Sequence, residues 1–306
     1  MIDIIIPAYN SHEKIKTALL SISMQTISDK VCVYIVNDAS EKDYSNEIDL
    51  FKNKLNIKEI KLFKNSGPGV ARQKGIDSSN NDFILFLDSD DVLYNVFSLE
   101  ILYGSIVDSN YDIIIGGLLD EQKNSISYYS QHMGCLHGKL YRRSFIEKYN
   151  IKFNDSRSSE DHSFNRLLVL AEPNMFFVNQ PLYVYKYNDK SITNSSLNFN
   201  DMKWYIYNME WIVEQAEIRK FDRKLIAEFI FSSILYVYIT YIENLKNPNI
   251  NKIIGWMTNL LEYNDSYEGE LSEQEKFSLY NGYHFSKIPE MSFNEFCYKI
   301  RDTKNK

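Results

Sequence analysis

The chain has 306 residues, 44% apolar and 25% charged, proportions of a globular protein that exclude a wholly disordered chain and suit one large domain or two smaller ones. Its net charge of -7 excludes a global field that would draw it onto nucleic acid or an anionic membrane. Cys32, Cys135 and Cys297 are odd in number and far apart, so neither a disulfide framework nor a zinc-like spacing is expected; they read as reduced thiols in a cytoplasmic protein.

The first stretch, Met1-Ile2-Asp3-Ile4-Ile5-Ile6-Pro7, lacks a basic n-region and a long apolar core and does not read as a signal peptide. Residues 2–6 read as a strand stopped by Pro7. Ser11 is placed to cap a helix whose Ile15, Ala18, Leu19 and Ile22 follow helical spacing. Residues 31–36 and 58–63 are further strands, and Gly67-Pro68 opens a short helix, with Pro suited to its first turn. Residues 83–87 are a fourth strand and residues 112–115 a fifth. Alternation of this kind up to about residue 117 predicts a parallel, helix-covered sheet.

The predicted strands end in polar clusters: Pro7-Ala8-Tyr9-Asn10, Asn37-Asp38, Asn65-Ser66-Gly67, and Asp88-Ser89-Asp90-Asp91. Parallel strands would bring all of them to one edge, where open α/β sheets bind ligands. In the last cluster three carboxylates follow the apolar run Ile84-Leu85-Phe86-Leu87. Acids that close repel one another unless a cation compensates, and oxygen ligands on a turn suit Mg²⁺ or Mn²⁺. A solvated Asp/Ser turn is the plain alternative.

Residues 118–195 are less regular. Residues 128–134 read as a loop, and His137-Gly138-Lys139-Leu140-Tyr141-Arg142-Arg143 as a basic cluster, its arginines surface charge at a helix start. Glu160-Asp161 opens a helix with an apolar stripe of Phe164, Leu167, Leu168 and Ala171, which puts Asp161 where the helix dipole favours a carboxylate. Residues 182–187 read as a strand before the polar loop Asn188-Asp189-Lys190-Ser191. From 196 to 306 the pattern is helical. The apolar stretch 226–242, at 17 residues, is shorter than the roughly 20 a membrane span needs and reads as a buried helix, although contact with a membrane surface stays open. Ser272 with Glu275, and Ser292 with Glu295, have capping-box spacing.

Taken together, Ile5-Ile6-Pro7-Ala8-Tyr9-Asn10, Val36-Asn37-Asp38-Ala39-Ser40, Asn65-Ser66-Gly67-Pro68-Gly69-Val70-Ala71-Arg72, Leu87-Asp88-Ser89-Asp90-Asp91, Lys139-Leu140-Tyr141-Arg142-Arg143 and Ser159-Glu160-Asp161 resemble, in that order, the family 2 glycosyltransferases. The resemblance covers about residues 1–195. It implies a GT-A fold: an α/β, Rossmann-like, mostly parallel sheet with a nucleotide-sugar half (1–117) and an acceptor half (118–195). The helical C-terminal region (196–306) lies outside the resemblance and is expected to serve acceptor binding or homodimerisation. It also implies a nucleotide-sugar donor, usually a UDP-sugar, and metal-dependent inverting transfer with Mn²⁺ or Mg²⁺.

Residue by residue, the resemblance assigns Pro7, Ala8, Tyr9 and Asn10 to the nucleobase pocket, Asp38 to the base N–H groups, and Asn65 and Arg72 to the nucleotide. It gives Asp88 and Ser89 to the donor sugar-nucleotide and Asp90 to the metal. Asp161 becomes the base that takes the acceptor proton, since a single displacement needs one. Accessory positions are Glu160, for the acceptor or merely solvated; Asp91, a further ligand or a turn residue; His137, a metal ligand or a hydrogen-bonded structural histidine; and Lys186, Lys190 and Ser191, for the diphosphate. His162 is expected to be exposed. The acceptor implied is a cell-surface glycan. A modified base of phage DNA is a second acceptor, which the acidic balance disfavours, and an inactive sugar-nucleotide or glycan-binding module is a non-enzyme alternative. A haloacid-dehalogenase-like phosphatase would use Asp88 as nucleophile but on its first strand, and here three strands precede it. A dinucleotide fingerprint at Gly67-Pro68-Gly69 lacks its third glycine, replaced by Arg72.

Overall fold

The computed structural model describes residues 1–188, 199–242, 250–282 and 292–304. The chain divides into two compact units, Met1–Ser195 and Ser196–Lys306. In the first, strands and helices alternate as β1 (Ile2–Ala8), α1 (His12–Ser23), β2 (Val31–Asn37), α2 (Ser45–Phe51), β3 (Asn56–Lys61), α3 (Pro68–Ser78), β4 (Phe83–Phe86), β5 (Val92–Leu93) and α4 (Ser98–Ile106). There follow β6 (Ile113–Gln122), β7 (Ser125–Tyr129), β8 (Lys139–Arg142), α5 (Arg143–Lys148), α6 (Glu160–Leu170) and β9 (Met175–Tyr185).

The sheet runs in the order β3-β2-β1-β4-β8-β6-β9-β5, with β7 paired to β6. Strands β1 to β4 are mutually parallel, as the alternation predicts, so their carboxyl ends share one edge. Every residue of β1, β2 and β4 is buried, which is why these strands are apolar apart from Asp3 and Asn37. Ile2, Ile4 and Ile6 share a core with Ile15, Ala18, Leu19 and Ile22 of α1. β8 is antiparallel to both neighbours and separates β4 from β6.

Several expectations change. Residues 128–134 are not wholly loop: Tyr128 and Tyr129 close the hairpin strand β7, which pairs with β6 and is exposed at four of its five residues, so no buried apolar run marks it. The strand expected from 182 begins at Met175 and is broken by irregular register near Pro181, which hides its length. Ser11 does not cap α1 through its side chain; its hydroxyl lies 3.1 Å from the Tyr44 hydroxyl. Arg142 and Arg143 are not surface charge. Arg142 donates to the carbonyls of Ile106, Ser109 and Tyr111 at the end of α4. Buried Arg143 donates to Ile76 O and Ser79 Oγ at the end of α3 and pairs with Asp3 at 2.9 Å. Both satisfy orphan acceptors at helix C-termini, where a cation is favoured.

The second unit is helical: α7 (Phe199–Ile218), α8 (Arg223–Ile242), α9 (Ile250–Trp256), α10 (Thr258–Ser266), α11 (Glu273–Gly282) and α12 (Phe293–Lys304). Ile226, Ile230, Ile234 and Val237 of α8 are buried, as are Ile206, Met209 and Val213 of α7. Among the described residues no helix is long and apolar enough to cross a membrane. Both capping boxes form: the Ser272 hydroxyl donates to Glu275 Oε2 at 2.7 Å while the Glu275 N–H donates back to Ser272 Oγ, and Ser292 with Glu295 repeats the pair.

Candidate functional site

The edge formed by the ends of β1 to β4 is stitched by its own polar residues. The Asn10 N–H donates to Ser40 Oγ at 3.0 Å, and Asn10 Oδ1 accepts the Glu41 N–H at 3.0 Å. Pro7 and Ala8 are buried within β1, whereas Tyr9, just past its end, is 53% exposed and offers a ring face at the edge. Asp38 is buried, and its carboxylate accepts the N–H groups of Ser66 at 2.7 Å and Gly67 at 2.8 Å. Gly67 has φ +93, a conformation glycine adopts without strain, and starts α3. Asp38 therefore anchors the loop that carries Asn65. Asn65 Oδ1 in turn accepts from Arg157 Nη1 at 2.9 Å.

The carboxylates after β4 separate into different surroundings. Asp90 accepts from Asn188 Nδ2 at 2.8 Å and lies 3.4 Å from Lys14 Nζ, with Ser89 half-buried beside it. Asp88 pairs with Arg72 at 2.7 Å through Oδ1, and its Oδ2 lies 3.4 Å from His137 Nε2. Asp91 is 1% exposed; it accepts the Tyr183 hydroxyl at 2.6 Å and the Lys186 N–H at 2.9 Å, and lies 3.8 Å from His137 Nε2. One donor atom each of Asp88, Asp91 and His137 lie within 4.8 Å of one another. The His137 ring is flanked by Tyr183 and Tyr185, with centroids 5.0 and 5.1 Å away.

Electrostatics follow from these contacts. Burial pushes the Asp88 carboxyl up, but Arg72 and His137 overcome it and hold it below the usual range. Burial lifts Asp91 to about 7. Burial opposes the charged form of His137, yet Asp88 and Cys135 raise it well above its ordinary value. Behind it, Cys135 Sγ lies 3.2 Å from His132 Nδ1, and Lys139, 1% exposed, donates to the Cys135 carbonyl. Burial resists ionisation of that thiol, but hydrogen bonds from His132 and His137 bring it to about 4.

Two carboxylates and an imidazole around one point are a donor set that fits a divalent cation, which would take the place of the proton His137 now holds between the two acids. Carboxylate oxygen with one imidazole suits Mn²⁺, and carboxylate alone Mg²⁺.

A second part of the site begins at α6. Ser159, in the left-handed region at φ 62, precedes the helix, so Asp161 lies within its first turn and is not its cap. Asp161 is half-buried and its Oδ1 accepts the His162 N–H at 2.7 Å. Burial and the neighbouring Glu160 charge lift its carboxyl to about 6. Glu160 is not solvated: it is buried and pairs with Arg72 at 2.6 Å. Arg72, itself buried, thus spans Glu160 and Asp88. His162 is half-buried, not exposed.

The fold therefore brings together Asp88, Asp91, His137, Arg72, Glu160 and Asp161, and separately Asp38 with Asn65. Lys186 commits its ammonium to Glu121 at 2.9 Å and its N–H to Asp91. Lys190 and Ser191 lie outside the described residues. Arg157 and Tyr183 escaped sequence reading. A lone arginine in the polar run before Glu160-Asp161 was the one available signal for the first, and none marks the second.

The model for "Glycosyl transferase family 2" matches residues 3–168. The chain is 28% identical over 219 residues to the poly(ribitol-phosphate) beta-N-acetylglucosaminyltransferase TarP of Staphylococcus aureus, a match covering 63% of this chain and 64% of TarP, so less than two thirds of that relative is spanned. It is 25% identical to the putative glycosyltransferase EpsH of Bacillus subtilis, over 73% of this chain and 72% of that protein. Among solved structures, S. aureus TarS 1–349 in complex with UDP-GlcNAc superposes with a TM-score of 0.75 at 18% identity, over 99% of this chain and 90% of that one. The likeness shows the fold, the α/β GT-A architecture with a helical C-terminal region that the sequence resemblance implies.

Proposed function

Because the chain belongs to glycosyltransferase family 2, we propose that it transfers a sugar from a UDP-sugar to a hydroxyl of a cell-surface glycan, with inversion and with the help of Mn²⁺ or Mg²⁺. One observation carries the reading: the fold gathers a cation-seeking trio and, apart from it, a carboxyl lifted to about 6, with buried Arg72 bridging Asp88 to Glu160 beside that carboxyl. Asp88 held ionised and Asp161 lifted towards neutrality are what a ligand site and a general base require. The likeness to TarP, a poly(ribitol-phosphate) beta-N-acetylglucosaminyltransferase, and to TarS bound to UDP-GlcNAc supports a UDP-sugar donor and a polymeric acceptor.

In this reading Tyr9 offers its ring to the base, and Asp38 shapes the loop from which Asn65 reaches the nucleotide. Asp88, Asp91 and His137 hold the cation, with Asp90 the carboxylate the sequence assigns to the same ion. Such a cation supplies charge neutralisation for the departing diphosphate. Asp161 takes the proton of the acceptor hydroxyl as that oxygen attacks the anomeric carbon. The His162 N–H fixes one Asp161 oxygen and leaves the other to accept that proton. An ionised carboxyl with a raised proton affinity is a stronger base at neutral pH than an ordinary aspartate.

Calorimetric titration with UDP, with Mn²⁺ and then with EDTA, tests the donor half; metal-dependent binding is expected. Asp161→Asn tests the chemistry. Transfer should fall about 10²- to 10⁴-fold while UDP binding stays within about twofold of wild type. Loss of UDP binding in that variant would assign Asp161 to the donor, and full retention of transfer would remove it from catalysis.

A further inference from the structure

The guanidinium of Arg72 hangs between two carboxylates. Nη1 donates to Glu160 Oε1 at 2.6 Å and Nη2 to Asp88 Oδ1 at 2.7 Å. Both Arg72 and Glu160 are buried, and Arg72 Nε is buried without a hydrogen-bond partner. The group is therefore held by these two acids, with the Phe153 ring 6.0 Å away. Glu160 is seated from the other side as well. A Cβ on Gly69, one turn before Arg72 on α3, would lie 2.8 Å from Glu160 Cγ and 2.8 Å from the Asn154 carbonyl. The start of α6 thus packs on α3 where only glycine leaves room, and Glu160 reaches Arg72 because of it.

We propose that Glu160 is a positioning residue for the donor and its cation, acting through Arg72 on Asp88, and takes no part in acceptor recognition. The inference rests on the donor-site reading given above. Asp88 has two oxygens with two duties: Oδ1 meets Arg72, and Oδ2 faces His137 and the cation locus. A guanidinium readily takes a carboxylate through both oxygens. Glu160 holds Nη1 and with it the orientation of the guanidinium in which Nη2 meets Asp88 through Oδ1 alone. Without the Glu160 charge, a buried Arg72 with one counter-charge would turn fully onto Asp88 and claim Oδ2 as well. The cation would then lose a ligand, although no residue touching it had changed.

The test uses the full chain and UDP titrations at stepped Mn²⁺ concentrations. Glu160→Gln keeps the shape of the side chain and removes its charge. It should weaken Mn²⁺-dependent UDP binding roughly 10- to 100-fold, the range seen when a partner orienting a metal ligand is lost. The KM for the acceptor should not change. Gly69→Ala leaves every charge in place but pushes Glu160 off Arg72, so it should shift Mn²⁺ dependence in the same direction. Should the neutral amide fail to fold, the glycine variant carries the same test, with a thermal melt confirming its fold. Wild-type donor binding in both variants overturns the inference, as does a raised acceptor KM with intact donor binding. Failure of wild type itself to bind UDP with Mn²⁺ would sink the donor-site reading and the inference together.

Discussion

Asp88 and Asp161 face the same guanidinium yet hold their protons differently. Asp88 is paired directly with Arg72 and lies near His137, and the two cations keep it charged. Asp161 makes no ion pair among the described residues; it receives one backbone N–H, while burial and Glu160 lift it to about 6. Arg72 spends its two donor nitrogens on Asp88 and Glu160 and reaches Asp161 through longer-range attraction alone. The difference teaches that proton affinity here is assigned by who hydrogen-bonds the guanidinium, since both carboxyls pay a burial penalty. One becomes a permanent anion fit for ligation, the other a base poised near neutrality.

The sharpest way to break the contrast is to remove the cation on the Asp88 side. His137→Ala would leave Asp88 and buried Asp91 close together with Arg72 alone against them. Leaving a buried charge unpaired costs about 3–5 kcal/mol, to be read from denaturant unfolding. Millimolar Mn²⁺ should restore much of that loss; a variant as stable as wild type without metal would show that His137 is not compensating these acids. A smaller effect sharpens the Asp161 side. Asp161 works as a base only when ionised, so kcat/KM should be flat above about 6 and fall roughly tenfold per pH unit well below it. Because Glu160 raises this carboxyl, Glu160→Gln should move the acid limb to lower pH. The corresponding contribution to stability has the opposite sense. The raised value favours the protonated form in the fold, so that contribution is full at low pH and is lost as pH rises through about 6. A limb that stays put in Glu160→Gln would deny the coupling. The smallest effect lies away from the crevice. Ser272→Ala removes one capping box of the helical unit and should cost about 1 kcal/mol in a melt, with UDP binding unchanged.

The parts legible in the sequence are the local ones. β1 to β4 are short, parallel and separated by helices, so Asn10, Asp38, Asn65 and Asp88 fall on one edge by the alternation itself. Asp161 and the stripe of α6 are legible because helical spacing and an acidic first turn are visible within eleven residues. What was not legible depends on partners far along the chain. The sequence says nothing of the Arg72–Glu160 bridge, 88 residues apart, or of the Arg143–Asp3 pair, 140 residues apart. Glu160 looked solvated and Arg143 looked superficial because charged residues usually are. His137 read as either a structural histidine or a ligand, and only the fold brings it within reach of Asp88 and Asp91.

The position of β8 also bears on how the chain is born. β4 lies between β1 and β8, and β8 is the last of the three to leave the ribosome. Until Lys139–Arg142 has emerged, the apolar ribbon Phe83-Ile84-Leu85-Phe86 presents an open hydrogen-bonding edge to whatever is nearby. Such edges recruit foreign strands. A cut near residue 117 would leave β4, the strand that β8 closes, with that edge open, and a chain stalled before β8 emerges is expected to be more exposed to aggregation.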